Sequence, residues 1–189
     1  MDKLLFIFFG FIISLNLYAV QEENIVQTMQ EKVNEATKIL SHKNEPIEKR
    51  AKQIFDKLEN IFDITLMGKI SLGGYWNTLS SKQQEEYSVA FEKYMKNSYI
   101  DKLKLYNNEK ITILDAHKIK SNRIFVNSQI QGAKETYKIV YKFYKTRDND
   151  WLIYDVDIIG VSIIKTSRAQ FEDIMAHNSF EDLLKKLRK

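Results

Sequence analysis

The sequence predicts an α+β fold: a twisted sheet of about four antiparallel strands with helices packed on its concave face. Three observations carry this. Apolar residues recur every three to four positions from Ile25 to Tyr106, then every second position from Ile111 to Ile158. The stretch Trp151 to Phe171 returns the chain to helical spacing through one glycine, Gly160, which permits a sharp turn. A length of 189 residues, 44% hydrophobic and 29% charged, suits one domain with one core.

Residues 1–19 read as a secretory signal peptide: Lys3 in a short charged start, an apolar run from Leu4 to Leu17, and Leu17-Tyr18-Ala19 as the cleavage signal. The run is shorter than the roughly 20 apolar residues that span a bilayer, and an uncleaved anchor is the alternative. Residues 20–189 form the single mature domain. Loss of Asp2 and Lys3 cancels, so the net charge of +4 is kept.

Ile25, Met29, Val33, Ala36 and Leu40 mark a first amphipathic helix ending around Ser41 to Asn44. Pro46, the only proline, belongs in the first turn of a second helix lined by Ile47, Ala51, Ile54, Phe55, Leu58 and Phe62. Asp63 can cap a short third helix that ends near Gly68 or runs to Leu72, and Gly73-Gly74 must break it. Ser80 with Gln83 is a capping box opening a long helix. Tyr87, Phe91, Tyr94, Met95, Tyr99, Leu103 and Tyr106 give that helix an aromatic face, which taken alone is ordinary core packing before it is a ligand wall.

The strands follow: Ile111 to Ala116, then Ile124 to Ile130 after a turn at Ser121-Asn122, then Tyr137 to Phe143 after a turn at Gly132-Ala133-Lys134. Asp148-Asn149-Asp150 turns into the last strand. There Leu152, Tyr154, Val156 and Ile158 are expected to share the inner face, with Asp155 and Asp157 opposite, among Trp151, Ile153 and Ile159. Asn178 is expected in the left-handed position that ends the next helix, and Ser179 to cap a final helix with a basic, solvated end, Lys185 to Lys189.

Catalytic patterns are missing. There is no phosphate loop, no Gly-x-Ser-x-Gly and no His-Glu-x-x-His, while His42, His117 and His177 lie apart; no catalytic residue, metal site or cofactor is expected. Cys is absent, which excludes thiol chemistry and thiolate metal sites. The lysines are scattered and form no basic block, so nucleic acid is not an expected partner.

Two blocks carry a resemblance. Leu72-Gly73, Tyr75-Trp76, Ser80, Gln83, Tyr87, Phe91, Tyr94, Tyr99, Leu103 and Tyr106 form the first; Tyr154-Asp155, Gly160-Val161-Ser162, Arg168 and Gln170-Phe171 form the second. In order and spacing they resemble the MlaC, or toluene-tolerance, family of periplasmic phospholipid-binding proteins of Gram-negative bacteria. The resemblance implies an NTF2-like, MlaC-like cone with an apolar pocket between sheet and helices. It also implies a monomeric periplasmic carrier that shuttles phospholipid between the membranes, maintaining outer-membrane asymmetry. The implied partners are an outer-membrane lipoprotein and porin complex and an inner-membrane ABC transporter with an MCE-domain subunit.

For the pocket wall the expected residues are Trp76, Leu79, Phe91, Met95, Tyr99, Tyr141, Phe143, Tyr154, Val156, Ile158 and Val161; a closed core accounts for about half of them as well. Two positions depart from the family. Ile159 stands where an acidic or polar residue is common, which makes the pocket mouth more apolar. Thr166-Ser167 replace a common Asn-Tyr before Arg168, a residue expected to pair with Asp155 or Asp157, with contact to a phosphate as the alternative. An enzyme of the same cone with an aspartate base, and an envelope adaptor with a filled core, are the alternatives.

Overall fold

The computed structural model describes residues 20–132 and 135–188. The signal-peptide reading, the turn residues Ala133 and Lys134, and Lys189 at the tail's end lie outside them. Six α-helices and five strands are described: α1 Ile25–Ser41, α2 Ile47–Leu58, α3 Ile64–Leu72, α4 Ser81–Lys104, β1 Lys110–Lys120, β2 Arg123–Gln131, β3 Thr136–Lys145, β4 Trp151–Ile158, β5 Val161–Ser162, α5 Ile163–His177 and α6 Phe180–Arg188.

Local chemistry sets most boundaries. Pro46 stands at the N-cap of α2, one residue before its first turn. The Asp63 carboxylate accepts from Leu66 N at 2.8 Å and starts α3, which runs to Leu72. Gly73 then adopts φ 55°, the left-handed region that favours glycine, and a 3-10 turn through Thr78 follows. Ser80 and Gln83 form both halves of the capping box of α4. At the end of α5 the expectation fails: Asn178 is extended (φ −137°), and its N–H still donates to Ile174 O at 2.7 Å.

The sheet is an antiparallel meander in the order β1-β2-β3-β4-β5. Ile124, Val126, Ser128 and Ile130 of β2 pair with Phe143, Tyr141, Ile139 and Tyr137 of β3, so these residues share the inner face. In β4 the even alternation is broken. Lys142 pairs with Asp155 but its neighbour Phe143 pairs with Ile153, leaving Tyr154 as the extra residue of a β-bulge. Trp151, Ile153, Val156 and Ile158 therefore point inward, and Leu152, Tyr154, Asp155 and Asp157 outward. The expected inner placement of Leu152 and Tyr154, and outer placement of Trp151 and Ile153, are corrected by that one residue.

The free edge of β4 before the bulge is covered by the chain itself. Trp151 N donates to Val20 O (3.0 Å) and Asp63 N to Ile153 O (2.9 Å), the second beside a parallel bridge at Phe62. This satisfies backbone groups that would otherwise invite foreign strands.

Burial divides into two apolar clusters of similar size, where a domain usually has one core. One joins Val20, Ile61 and α1 (Ile25, Met29, Val33) to the inner sheet face. The other joins α3, α4, α5 and α6 around Tyr87, Phe91, Phe171 and Leu183. Tyr87 stacks on Phe91 at 5.8 Å, and its hydroxyl meets Ser71 Oγ at 2.7 Å. Phe62 and Ile163, both half-buried, pack against both clusters.

Candidate functional site

The inner sheet face is covered unevenly. At one end the paired residues Ile124, Phe143 and Ile153 are sealed, at 4%, 0% and 0% exposure. At the other end Ile111 pairs with Ile130 and Ile130 with Tyr137, while Ile158 pairs with Val161. Ile111, Ile130 and Ile158 are half-buried, Tyr137 is 41% exposed and Val161 59%. An apolar strand face left uncovered in this way is a cost in water, at roughly 25 cal/mol per Å². It is also a surface an apolar ligand can cover.

Between these ends lies Tyr141. Burial holds its phenol well above the ordinary tyrosine range, opposed only by a hydrogen bond with Ser128. Tyr99 of α4 is raised too, first by burial and then by the neighbouring Tyr141 and Asp155. Two neutral phenols thus stand where the helical and sheet clusters approach each other. They place polar handles in an otherwise apolar interior.

The expected wall residues fall into three groups. Trp76, Leu79, Phe91, Met95 and Tyr99 belong to the helical cluster; Tyr141, Phe143, Val156 and Ile158 belong to the sheet cluster. Two stand apart. Tyr154 lies on the outer face, edge-on to Tyr144 (6.2 Å between centroids), with the Arg123 guanidinium 5.2 Å from its ring. Tyr154 and Arg123 border an outer cleft of about 350 Å³ with Ile119, Lys120, Asn122 and Phe125. Val161 projects at the β4–β5 hairpin.

The outer face of the same corner is held by charge. Lys142 Nζ lies 2.9 Å from Asp155 Oδ2 and 2.6 Å from Asp157 Oδ1, with side chains 11%, 7% and 21% exposed. Asp155 also accepts from Ser162 Oγ (2.7 Å), Val156 N (2.9 Å) and Ile164 N (3.2 Å). Its carboxylate is saturated by groups that fasten β5 and the start of α5 to β4. It serves as an anchor and has no oxygen left over for an aspartate-base mechanism.

Sequence reasoning missed this trio. The alternation put Asp155 and Asp157 on the outer face, but their pairing with Lys142 depends on the register across the β3–β4 turn. Arg168 plays no part in it; its Nε binds Glu172 at 2.8 Å, one helical turn on. Both side chains lie over Gly73, where an added Cβ would come within 2.4 Å of Glu172 and 2.7 Å of Arg168.

Among the described residues no group of three or more His, Asp or Glu is placed to hold a metal ion, and no helix is long and apolar enough to cross a membrane.

The chain is similar to known proteins. The binding protein of an intermembrane phospholipid transport system in Haemophilus influenzae is 23% identical over 125 residues, 64% of this chain; the match spans 58% of the relative. A solved phospholipid-binding protein from Ralstonia solanacearum, in complex with a phospholipid, superposes with a TM-score of 0.74 at 21% identity, covering 86% of this chain and 93% of that one. The family model described as MlaC protein matches residues 30–189, from α1 to the C-terminus, and with that match the chain belongs to the MlaC family.

Proposed function

We propose that the protein is a periplasmic phospholipid carrier with no catalytic step, its acyl chains lying on the open end of the inner sheet face. The observation that carries this reading is the gradient of cover along one continuous apolar face, from Phe143 at 0% to Val161 at 59% exposure. Membership of the MlaC family and the likeness to a structure that holds a phospholipid support it.

Free transfer of a two-chain lipid through water would expose on the order of 30 methylenes at about 0.8 kcal/mol each, more than 20 kcal/mol. A carrier must remove the chains from water and can leave the headgroup in it. The proposed wall is Met95 and Tyr99 from α4, with Tyr141, Val156, Ile158, Ile130 and Val161 from the sheet. Trp76, Leu79, Phe91 and Phe143 back this wall from within the two clusters. Tyr154 supports the site from the outer face.

The proposed exchange runs between the two membranes of a Gram-negative envelope, with an outer-membrane lipoprotein and porin complex on one side and an ABC transporter with an MCE-domain subunit on the other. Removal of residues 1–19 on export is part of this proposal.

Native mass spectrometry of the mature protein, followed by solvent extraction and lipid analysis, tests the reading. Diacyl phospholipid near one per chain is expected. A ligand-free mass that persists after incubation with phospholipid vesicles would overturn it.

A further inference from the structure

The β4–β5 hairpin turns on two residues, Ile159 and Gly160, both at positive φ (54° and 79°). Two-residue turns of this kind favour Asn-Gly or Asp-Gly, because only residues tolerant of the left-handed region fit them. A β-branched residue there is an outlier, costly to the fold. Ile159 is also 62% exposed, so burial does not compensate for it. A side chain that weakens the hairpin and remains in water points to a contact outside the chain.

Its surroundings indicate what that contact is. Val161 is 59% and Tyr137 41% exposed, and Ile159 N donates to Lys138 O, which brings the hairpin tip against β3 beside Tyr137. The cations here are Lys138 on β3 and Lys165 in the first turn of α5, both exposed; among the described residues neither makes an ion pair. The nearby acids are engaged: Asp157 holds Lys142, and Glu135 hydrogen-bonds Tyr137. An apolar tip with an aromatic ring and flanking lysines has the makeup of a segment that enters the headgroup layer of an anionic bilayer.

We infer that Ile159, with Val161 and Tyr137, is a membrane-seating lip: the tip settles into an anionic phospholipid surface and sets the open end of the inner face against the bilayer. This rests on the carrier reading, because the lip borders the face on which the acyl chains are proposed to lie. Lys138 and Lys165 supply the attraction to anionic headgroups, and the side chain of Ile159 supplies apolar insertion.

The test compares the mature protein with Ile159→Asn and with Lys138→Gln/Lys165→Gln by co-sedimentation with phosphatidylcholine vesicles, with and without phosphatidylglycerol. Wild type is expected to sediment with the phosphatidylglycerol vesicles and to be released by salt. Ile159→Asn is expected to bind about tenfold more weakly, and the double lysine variant on the order of tenfold or more weakly. Asn suits the turn, so Ile159→Asn is expected to melt at a higher temperature and, lying outside the pocket wall, to co-purify with the same amount of phospholipid. Vesicle binding unchanged by Ile159→Asn would overturn the lip, as would a wild type that binds no vesicles, including one that binds only a protein partner. A chain that carries no phospholipid yet seats on vesicles through Ile159 would overturn the carrier reading and leave the lip standing.

Discussion

The two ends of the inner sheet face are built from the same residue types in the same alternation, yet one is core and the other is surface. Ile124, Phe143 and Ile153 are sealed beneath α1 and the strand-like segments at Val20 and Phe62. Ile111, Ile130, Tyr137, Ile158 and Val161 continue the face with less cover. A half-buried strand specifies which face is apolar and says nothing of what lies on it. In this molecule the difference between the ends is the difference between stability and proposed function.

Substitutions should separate the two ends most strongly. Phe143→Ala removes a fully buried ring and is expected to cost about 3–5 kcal/mol in urea unfolding, whereas Ile130→Ala, half-buried at the other end, is expected to cost about 1 kcal/mol. The carried lipid should respond in the opposite order, with Ile130→Ala losing more of it per unit of stability. Equal stability costs at both ends would break the comparison.

The first half of the fold was legible because its signals are local. Asp63 before Leu66, Ser80 before Gln83 and Gly73 after Leu72 each act within four residues, and each acts in the structure as its chemistry requires. The change of period at Lys110 announced the sheet for the same reason. Tyr154 was misplaced because a bulge is decided by pairing between strands, and period-two counting runs straight across it. Arg168 was given to the aspartates because their true cation, Lys142, lies across the β3–β4 turn on the neighbouring strand. The expected wall mixed lining and core for a related reason: burial depends on which helix covers which end of the sheet.

The buried trio at the corner sharpens the contrast, because it fixes β5 and α5 next to an end that is otherwise open. Lys142→Met leaves the buried Asp155 and the half-buried Asp157 carboxylates without their cation, and about 3 kcal/mol of destabilisation is expected. The smallest effect is in pH. For Lys142, burial alone would lower the ammonium pKa, but the hydrogen bonds and charges of Asp157 and Asp155 outweigh it and hold the value above its ordinary 10.5. The Tyr144 phenol is pushed up to about 12, by burial first and then by the Asp63 carboxylate to which it donates a hydrogen bond; Arg123 opposes the shift. Both groups have raised values in the folded state. Their contributions are present below about pH 10 and are lost as pH rises through the folded values. Thermal unfolding from pH 8 upward should show a decline beginning near pH 10, shallower in Lys142→Met.

The most direct test of the central claim is photocrosslinking, with benzoylphenylalanine placed in turn at Tyr137, at the open end of the inner face, and at Tyr154, on the outer face. After irradiation of the protein as purified with its cargo, intact mass should show a phospholipid adduct at Tyr137 and none at Tyr154. An adduct at Tyr154 with none at Tyr137 would put the cargo on the other side of the sheet and contradict the account.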